Sequence, residues 1–130
     1  MNSSSIVDWP AIRTRASQFP EEAFEFVREG LRHTVESHHG CSAQPNPGED
    51  RRHISGHQLC LGLKAFALHR YGLLAGLVLS RWGLTRTDDF GTIVYAMIDR
   101  KELRASEKDS IEDFKGAFDF AEAFAAAAIC

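Results

Sequence analysis

The sequence predicts a mainly α-helical protein: a single compact multi-helix domain with at most a minimal two-stranded β element. Apolar residues recur at helical spacing in several segments, for example at Phe24, Val27 and Leu31. Residues that favour helix starts precede such segments, as where Ser55 is followed three residues later by Gln58. Apolar residues make up 44% of the chain and charged residues 25%, which is typical of a soluble globular domain.

Two helices are predicted in the N-terminal part. Residues 5–17 form the first, with Pro10 in the first turn, where proline is tolerated. Pro20 opens the second, the acidic residues after it suit the positive end of the helix dipole, and Gly40 ends it. The apolar stripes of the two helices are Ile6, Trp9 and Ile12, then Ala23, Phe24, Val27, Leu31, Thr34 and Val35.

Residues 40–50 are predicted to form an exposed loop, because they combine two prolines, two glycines and few apolar residues. The loop separates an N-terminal helical hairpin, residues 1–39, from a main body, residues 51–130. A segment as short as the hairpin cannot bury a core of its own. We therefore expect the whole chain, residues 1–130, to form one helical domain.

Three helices are predicted in the first part of the main body. Residues 55–71 are apolar on two adjoining faces, so we expect this helix to be the most buried element. Gly72 separates it from a short apolar helix at 73–82, and a third helix at 87–100 has Thr87 as its N-cap. The two faces of the first helix carry Leu59, Leu63, Phe66 and Ala67, then Leu61, Ala65 and Leu68.

The remaining segments of the main body are predicted to form two short extended pieces and one or two C-terminal helices. Residues 52–54 and 102–106 are short, and the hypothesis is that they pair as the minimal β element. From Ser110 onward the pattern predicts one or two helices. Their apolar stripe is Phe114, Ala117, Ala121 and Phe124.

Charge and cysteine content bear on the environment and the partners. A net charge of -3 gives no overall attraction to nucleic acid or to an anionic membrane. Three cysteines at irregular spacing indicate reduced thiols, and we expect a cytoplasmic protein. The start shows no signal-peptide pattern, and the longest apolar run is far too short to span a bilayer, so no membrane partner is expected.

Several sequence segments together resemble an uncharacterised bacterial family that is associated with planctomycetes and verrucomicrobia. The segments are FPEEAFEFVREGL, RHISGHQL, FALHRYG, LSRWGLTRTDDFGTIVYAMI, KDSIEDF and FDFAEAF, which span residues 19–124. The family has no established activity, so the resemblance implies no catalytic residue. The family carries Gln and Glu at the positions of His57 and Gln58. His57 is thus a departure, which weakens a metal site built on it.

A histidine and cysteine group provides one possible metal site. His53, His57 and Cys60 would share a face if all three lay on one helix, and such side chains bind zinc. Fourth ligands could come from His38, His39 or Cys41. His53 precedes the Ser55 cap, however, and no paired CxxC or HxxxH motif is present. We therefore predict no metal and no cofactor, and a small metal-dependent enzyme is kept as an alternative.

A second alternative is a winged-helix-like nucleic-acid-binding protein. The three main-body helices and the extended piece follow the outline of that fold, whose third helix enters the major groove. Basic side chains flank the 87–100 helix at Arg81, Arg86, Arg100, Lys101 and Arg104. Its first turn, however, carries Asp88 and Asp89, which repel phosphate. We therefore expect no nucleic-acid partner.

The function that the sequence favours is a non-enzymatic helical domain that binds a protein partner or associates with itself. No phosphate-binding glycine loop, nucleophile elbow or HExxH motif is present. Cys60 lies among leucines, where a buried and inert thiol is expected rather than a nucleophile. No catalytic residue is predicted. An interaction protein of this kind should expose an apolar patch on its surface.

Overall fold

The computed structural model describes residues 7–40, 54–104 and 110–129, with side chains at 7–37, 54–104 and 110–124. The prediction of a mainly α-helical protein is confirmed, and no strand occurs within these ranges. The α-helices are α1 (Trp9–Ala16), α2 (Glu21–Gly40), α3 (Gly56–Tyr71), α4 (Ala75–Arg81), α5 (Thr87–Asp99) and α6 (Phe120–Ile129). Two short 3-10 turns, Gly72–Leu74 and Ile111–Phe114, precede α4 and α6.

The centre of the fold is α5. Ten of its 13 residues are buried, whereas α3 buries six of 16. The prediction that the 55–71 helix is the most buried element is therefore wrong. One face of α3 is buried as expected, but on the second face Leu61 and Ala65 are exposed and Leu68 is only half-buried. Neighbouring helices cover the first face of α3 and leave most of the second uncovered.

Helices α2 and α3 approach each other closely at two glycines. A Cβ atom added at Gly62 would lie 2.1 Å from the Thr34 hydroxyl oxygen, and one at Gly30 would lie 2.3 Å from Leu63 Cδ2. A side chain at Gly62 would also lie 2.8 Å from Thr34 Cβ and would require the helices to shift, whereas one at Gly30 would displace the Leu63 side chain. This close contact brings Phe26 of α2 to 5.5 Å from the ring of Phe66.

Helix α1 packs on α5 and is held there by an aromatic contact and an ion pair. The rings of Trp9 and Tyr95 lie 6.1 Å apart, and the guanidinium of Arg13 donates to both carboxylate oxygens of Asp99 at 2.8 and 2.9 Å. Arg13 lowers the pKa of the Asp99 carboxyl below its ordinary value. The N-terminal residues thus share the core of the main body, and the division into hairpin, loop and body stays a prediction.

The start of α5 differs from the predicted one. Thr87 is the first helical residue rather than the N-cap, and Asp89 caps the helix by accepting the backbone amides of Thr85 and Arg86 at 2.9 and 3.1 Å. The Thr87 hydroxyl instead donates to the Phe114 carbonyl at 2.6 Å and accepts from the Ala117 amide at 3.1 Å. Thr87 therefore attaches the C-terminal segment to the central helix.

Other predicted boundaries need correction. The helix predicted at 73–82 is a 3-10 turn followed by α4, and the C-terminal stripe is divided between the second 3-10 turn and α6. Phe114 and Phe124 are buried as predicted, but Ala121 is exposed. The proposed extended pieces are not strands where they are described, at Ile54 and 102–104. The remainder of those pieces, 52–53 and 105–106, and residues 41–50 of the predicted loop lie outside the described residues.

Helix α3 begins with the predicted capping box. The Ser55 hydroxyl accepts the Gln58 amide at 3.1 Å, and the Gln58 side chain accepts the Ser55 amide at 3.0 Å. This reciprocal pair satisfies two amides that have no partner within the helix.

We expect Ser55→Ala to lower the free energy of unfolding by about 1 kcal/mol, because it removes the acceptor of the Gln58 amide. Urea unfolding followed by circular dichroism measures this change. Ser37→Ala is the control, since Ser37 is an exposed serine within α2, and it should change stability by less than about 0.5 kcal/mol. Equal effects of the two substitutions would show that the cap does not stabilise α3.

Candidate functional site

Three neighbouring leucines form the most exposed apolar group among the described residues. Leu73, Leu74 and Leu77 expose 59%, 59% and 58% of their surface, and we call them the leucine surface. Their spacing of three and four residues places them on one side of the 3-10 turn and α4. Leu61 of α3 is the other large exposed apolar side chain in the described ranges, at 45%.

The opposite side of this segment is anchored in the core, which is why the leucines point outward. Ala75 and Leu79 are 1% and 0% exposed. Helix α6 crosses α4 closely, because a Cβ atom added at Gly76 would lie 3.1 Å from Phe124 Cβ. The segment is therefore packed against the core on its inner side, and among the described residues the three leucines stay largely exposed.

A second candidate site is a cavity of about 550 Å³ beside the core. It lies between the C-terminal halves of α2 and α5, the start of α3, and residues 103–104 and 110–114. Its walls are mostly apolar and include Leu31, Val35, Ile54, Leu59, Val94, Ile98, Leu103 and Phe114. This volume falls within the range of about 300–1,000 Å³ that is typical of small-molecule sites.

The charged side chains that line this cavity are Arg32, Glu36 and Arg104. Neither arginine forms an ion pair with any carboxylate in the described ranges. Arg28, one turn before Arg32, pairs with three glutamates, and Arg70 pairs with Glu29. Three other exposed arginines, Arg15, Arg81 and Arg86, likewise form no ion pair with a described carboxylate. The lining of the cavity is therefore mostly apolar, and its charged residues sum to a net positive charge.

The predicted histidine and cysteine group is not brought together in the described residues. His57 is exposed on α3, whereas Cys60 is completely buried. Burial raises the pKa of the Cys60 thiol to about 12, and the Asp88 carboxylate adds to the shift. The expected burial of Cys60 is confirmed. His38, His39, Cys41 and His53 lie outside the described side chains, and within the described ones no group of three ligands could hold a metal ion.

The basic residues considered for nucleic acid fall into two groups at opposite ends of α5. Arg81 and Arg86 lie near its start; Arg100, Lys101 and Arg104 follow its end. A helix of this length separates the groups by roughly 20 Å. The guanidinium of Arg100 lies 4.5 Å from the ring centre of Phe24, and Arg104 lines the cavity.

The position of α5 does not favour the winged-helix alternative, which stays a hypothesis. That alternative requires the 87–100 helix to enter the major groove, whereas ten of the 13 residues of α5 are buried. Residues 102–104, proposed as part of a wing, are not a strand. The five basic residues thus form no single recognition surface.

Comparisons with family models, with curated proteins and with solved structures found no match to this chain. The resemblance to the bacterial family therefore stays a prediction. Among the described residues, no helix is both long and apolar enough to cross a membrane.

The two candidate sites are visible only in the structure, and the sequence had predicted neither of them. The only sequence pattern that pointed to the leucine surface was the run of leucines after Gly72. That run predicts a helix but does not show which side of the helix faces solvent.

Proposed function

We propose that this protein is a non-enzymatic helical domain that associates with a second copy of itself through the leucine surface. The observation that supports the proposal is the exposure of Leu73, Leu74 and Leu77 on a segment whose other side, with Ala75 and Leu79, is buried in the core. Three adjacent leucines, each more than half exposed, are costly in water, and burial against a partner removes that cost.

A second copy is the partner that this surface fits best. The three residues of the leucine surface are uncharged, so they can meet the same three residues of a second copy across a two-fold axis through apolar contacts. Leucine side chains also pack well against leucine side chains. The patch is small, so we expect a weak, reversible dimer rather than an obligate one.

Sedimentation equilibrium of the purified full chain tests the proposal. We expect the apparent mass to rise from monomer to dimer as the concentration increases. Leu77→Asp places a charge in the interface and should abolish dimerisation. Leu61→Asp is the matched control, because it puts the same charge on a comparably exposed leucine of α3 and should leave the dimer intact.

Two outcomes would overturn the proposal. A wild-type chain that stays monomeric up to millimolar concentration has no self-association to explain. Equal dimerisation of the Leu77→Asp and Leu61→Asp variants would place the interface elsewhere. Circular dichroism of each variant verifies that the helices remain folded. Since Leu77 lies within α4, Leu73→Asp in the preceding 3-10 turn is a second variant that avoids a change inside the helix.

A further inference from the structure

We infer that the cavity beside α2 and α5 binds an amphipathic carboxylate, a molecule with a flexible apolar chain and one anionic group. This inference does not depend on the leucine surface, which is formed by other residues. It rests on the size of the cavity, the apolar character of its walls, and Arg32 and Arg104, two lining residues that form no ion pair with a carboxylate of the described residues.

The apolar walls of the cavity favour a ligand whose main part is apolar. Leu59 and Val94 are almost completely buried within the core, and Val35 and Ile98 continue the same surface outward as half-buried side chains. The cavity is partly open to solvent, and its space of about 550 Å³ lies against mostly apolar walls. An alkyl chain in that space gains dispersion contacts and leaves water.

The charged lining residues determine which chemical group the other end of the ligand carries. Arg32 comes from α2 and Arg104 from the segment after α5, so two elements distant in sequence each bring an exposed arginine to the edge of one cavity. Guanidinium binds a carboxylate through paired hydrogen bonds, and neither group is already occupied by a described acidic side chain. Glu36, on the next turn of α2, opposes anion binding and limits its strength.

Isothermal titration calorimetry with dodecanoate, kept below its micelle concentration, tests the inference on the full chain. We expect saturable binding at one site per chain. Dodecanol, which keeps the alkyl chain but lacks the charge, should bind at least tenfold more weakly. Butyrate, which keeps the charge but is too short to fill the cavity, should show no measurable binding.

Variants of the lining residues locate the site. We expect the double variant Arg32→Gln and Arg104→Gln to weaken dodecanoate binding at least tenfold and to leave dodecanol binding unchanged. Glu36→Gln should instead tighten dodecanoate binding several-fold, an effect of opposite sign that general damage to the fold cannot produce. Arg15→Gln is the control, because Arg15 is exposed on α1 and does not line the cavity.

A bulky substitution completes the test. Val35→Trp fills part of the cavity from a half-buried position and should abolish binding of both dodecanoate and dodecanol. The inference is overturned if dodecanoate shows no saturable binding. It is equally overturned if the arginine variant binds dodecanoate as tightly as the wild type, or if Val35→Trp has no effect. Self-association measured on the same variants should be unchanged, so failure of this inference is distinguishable from failure of the proposed function.

Discussion

Phe90→Ala is expected to destabilise the protein by roughly 3–5 kcal/mol, the usual cost of removing a fully buried phenylalanine ring. Phe90 is 0% exposed and lies in α5 between the rings of Phe26 and Phe120, at 6.4 and 5.5 Å. Its loss opens a cavity where α2, α5 and α6 meet. A domain of this size has only about 5–15 kcal/mol of stability, so the variant should lose a large fraction of it.

Urea unfolding monitored by circular dichroism measures this effect. Phe118→Ala provides the matched comparison, because Phe118 is only half-buried and stacks on Phe120 at the edge of the same aromatic cluster. Phe118→Ala should cost clearly less than Phe90→Ala. If the order were reversed, α5 would not be the centre of the core.

Leu63→Ala is expected to lower the free energy of unfolding by roughly 2–5 kcal/mol. Leu63 is completely buried on the face of α3 that packs against α2, where its Cδ2 atom fills the space left by the missing side chain of Gly30. Removing the side chain leaves a cavity in the contact between α2 and α3. The backbone there is already in close contact and has little freedom to collapse into the space.

Leu61→Ala is the control for this substitution, since Leu61 lies two residues earlier on α3 and is 45% exposed. It should change stability by less than about 0.5 kcal/mol. Chemical unfolding of both variants compares the two faces directly. A loss well under 1 kcal/mol for Leu63→Ala would mean that the α2–α3 contact does not contribute to the core as described.

The sequence predicted the helices well because their signals are local. The capping box at Ser55 depends only on residues within one turn, and the structure reproduces it. Periodicity also identified the buried face of α3. The prediction failed at the second face, where Leu61 is as apolar as Leu63 but has no neighbouring helix to cover it. Helical spacing shows that two faces are apolar and cannot show which one other helices cover.

The central role of α5 and the two candidate sites depend on tertiary contacts between distant residues. The sequence predicted Thr87 as an N-cap. In the structure its hydroxyl instead forms hydrogen bonds with the backbone of Phe114 and Ala117, far along the chain. Arg104 was considered for phosphate, but α2 and α5 bring it to the same cavity as Arg32. No local pattern links these residues, so their meeting is visible only in the folded chain.

The most direct test of the proposed self-association is to observe where two copies touch. An isotope-filtered NMR experiment on a mixture of ¹³C-methyl-labelled and unlabelled chains detects contacts between copies only. We predict intermolecular signals between the methyl groups of Leu73, Leu74 and Leu77 of one copy and those of the other. Intermolecular signals confined to Leu61 or to the cavity walls, or none at concentrations where the chain sediments as a dimer, would contradict the proposal.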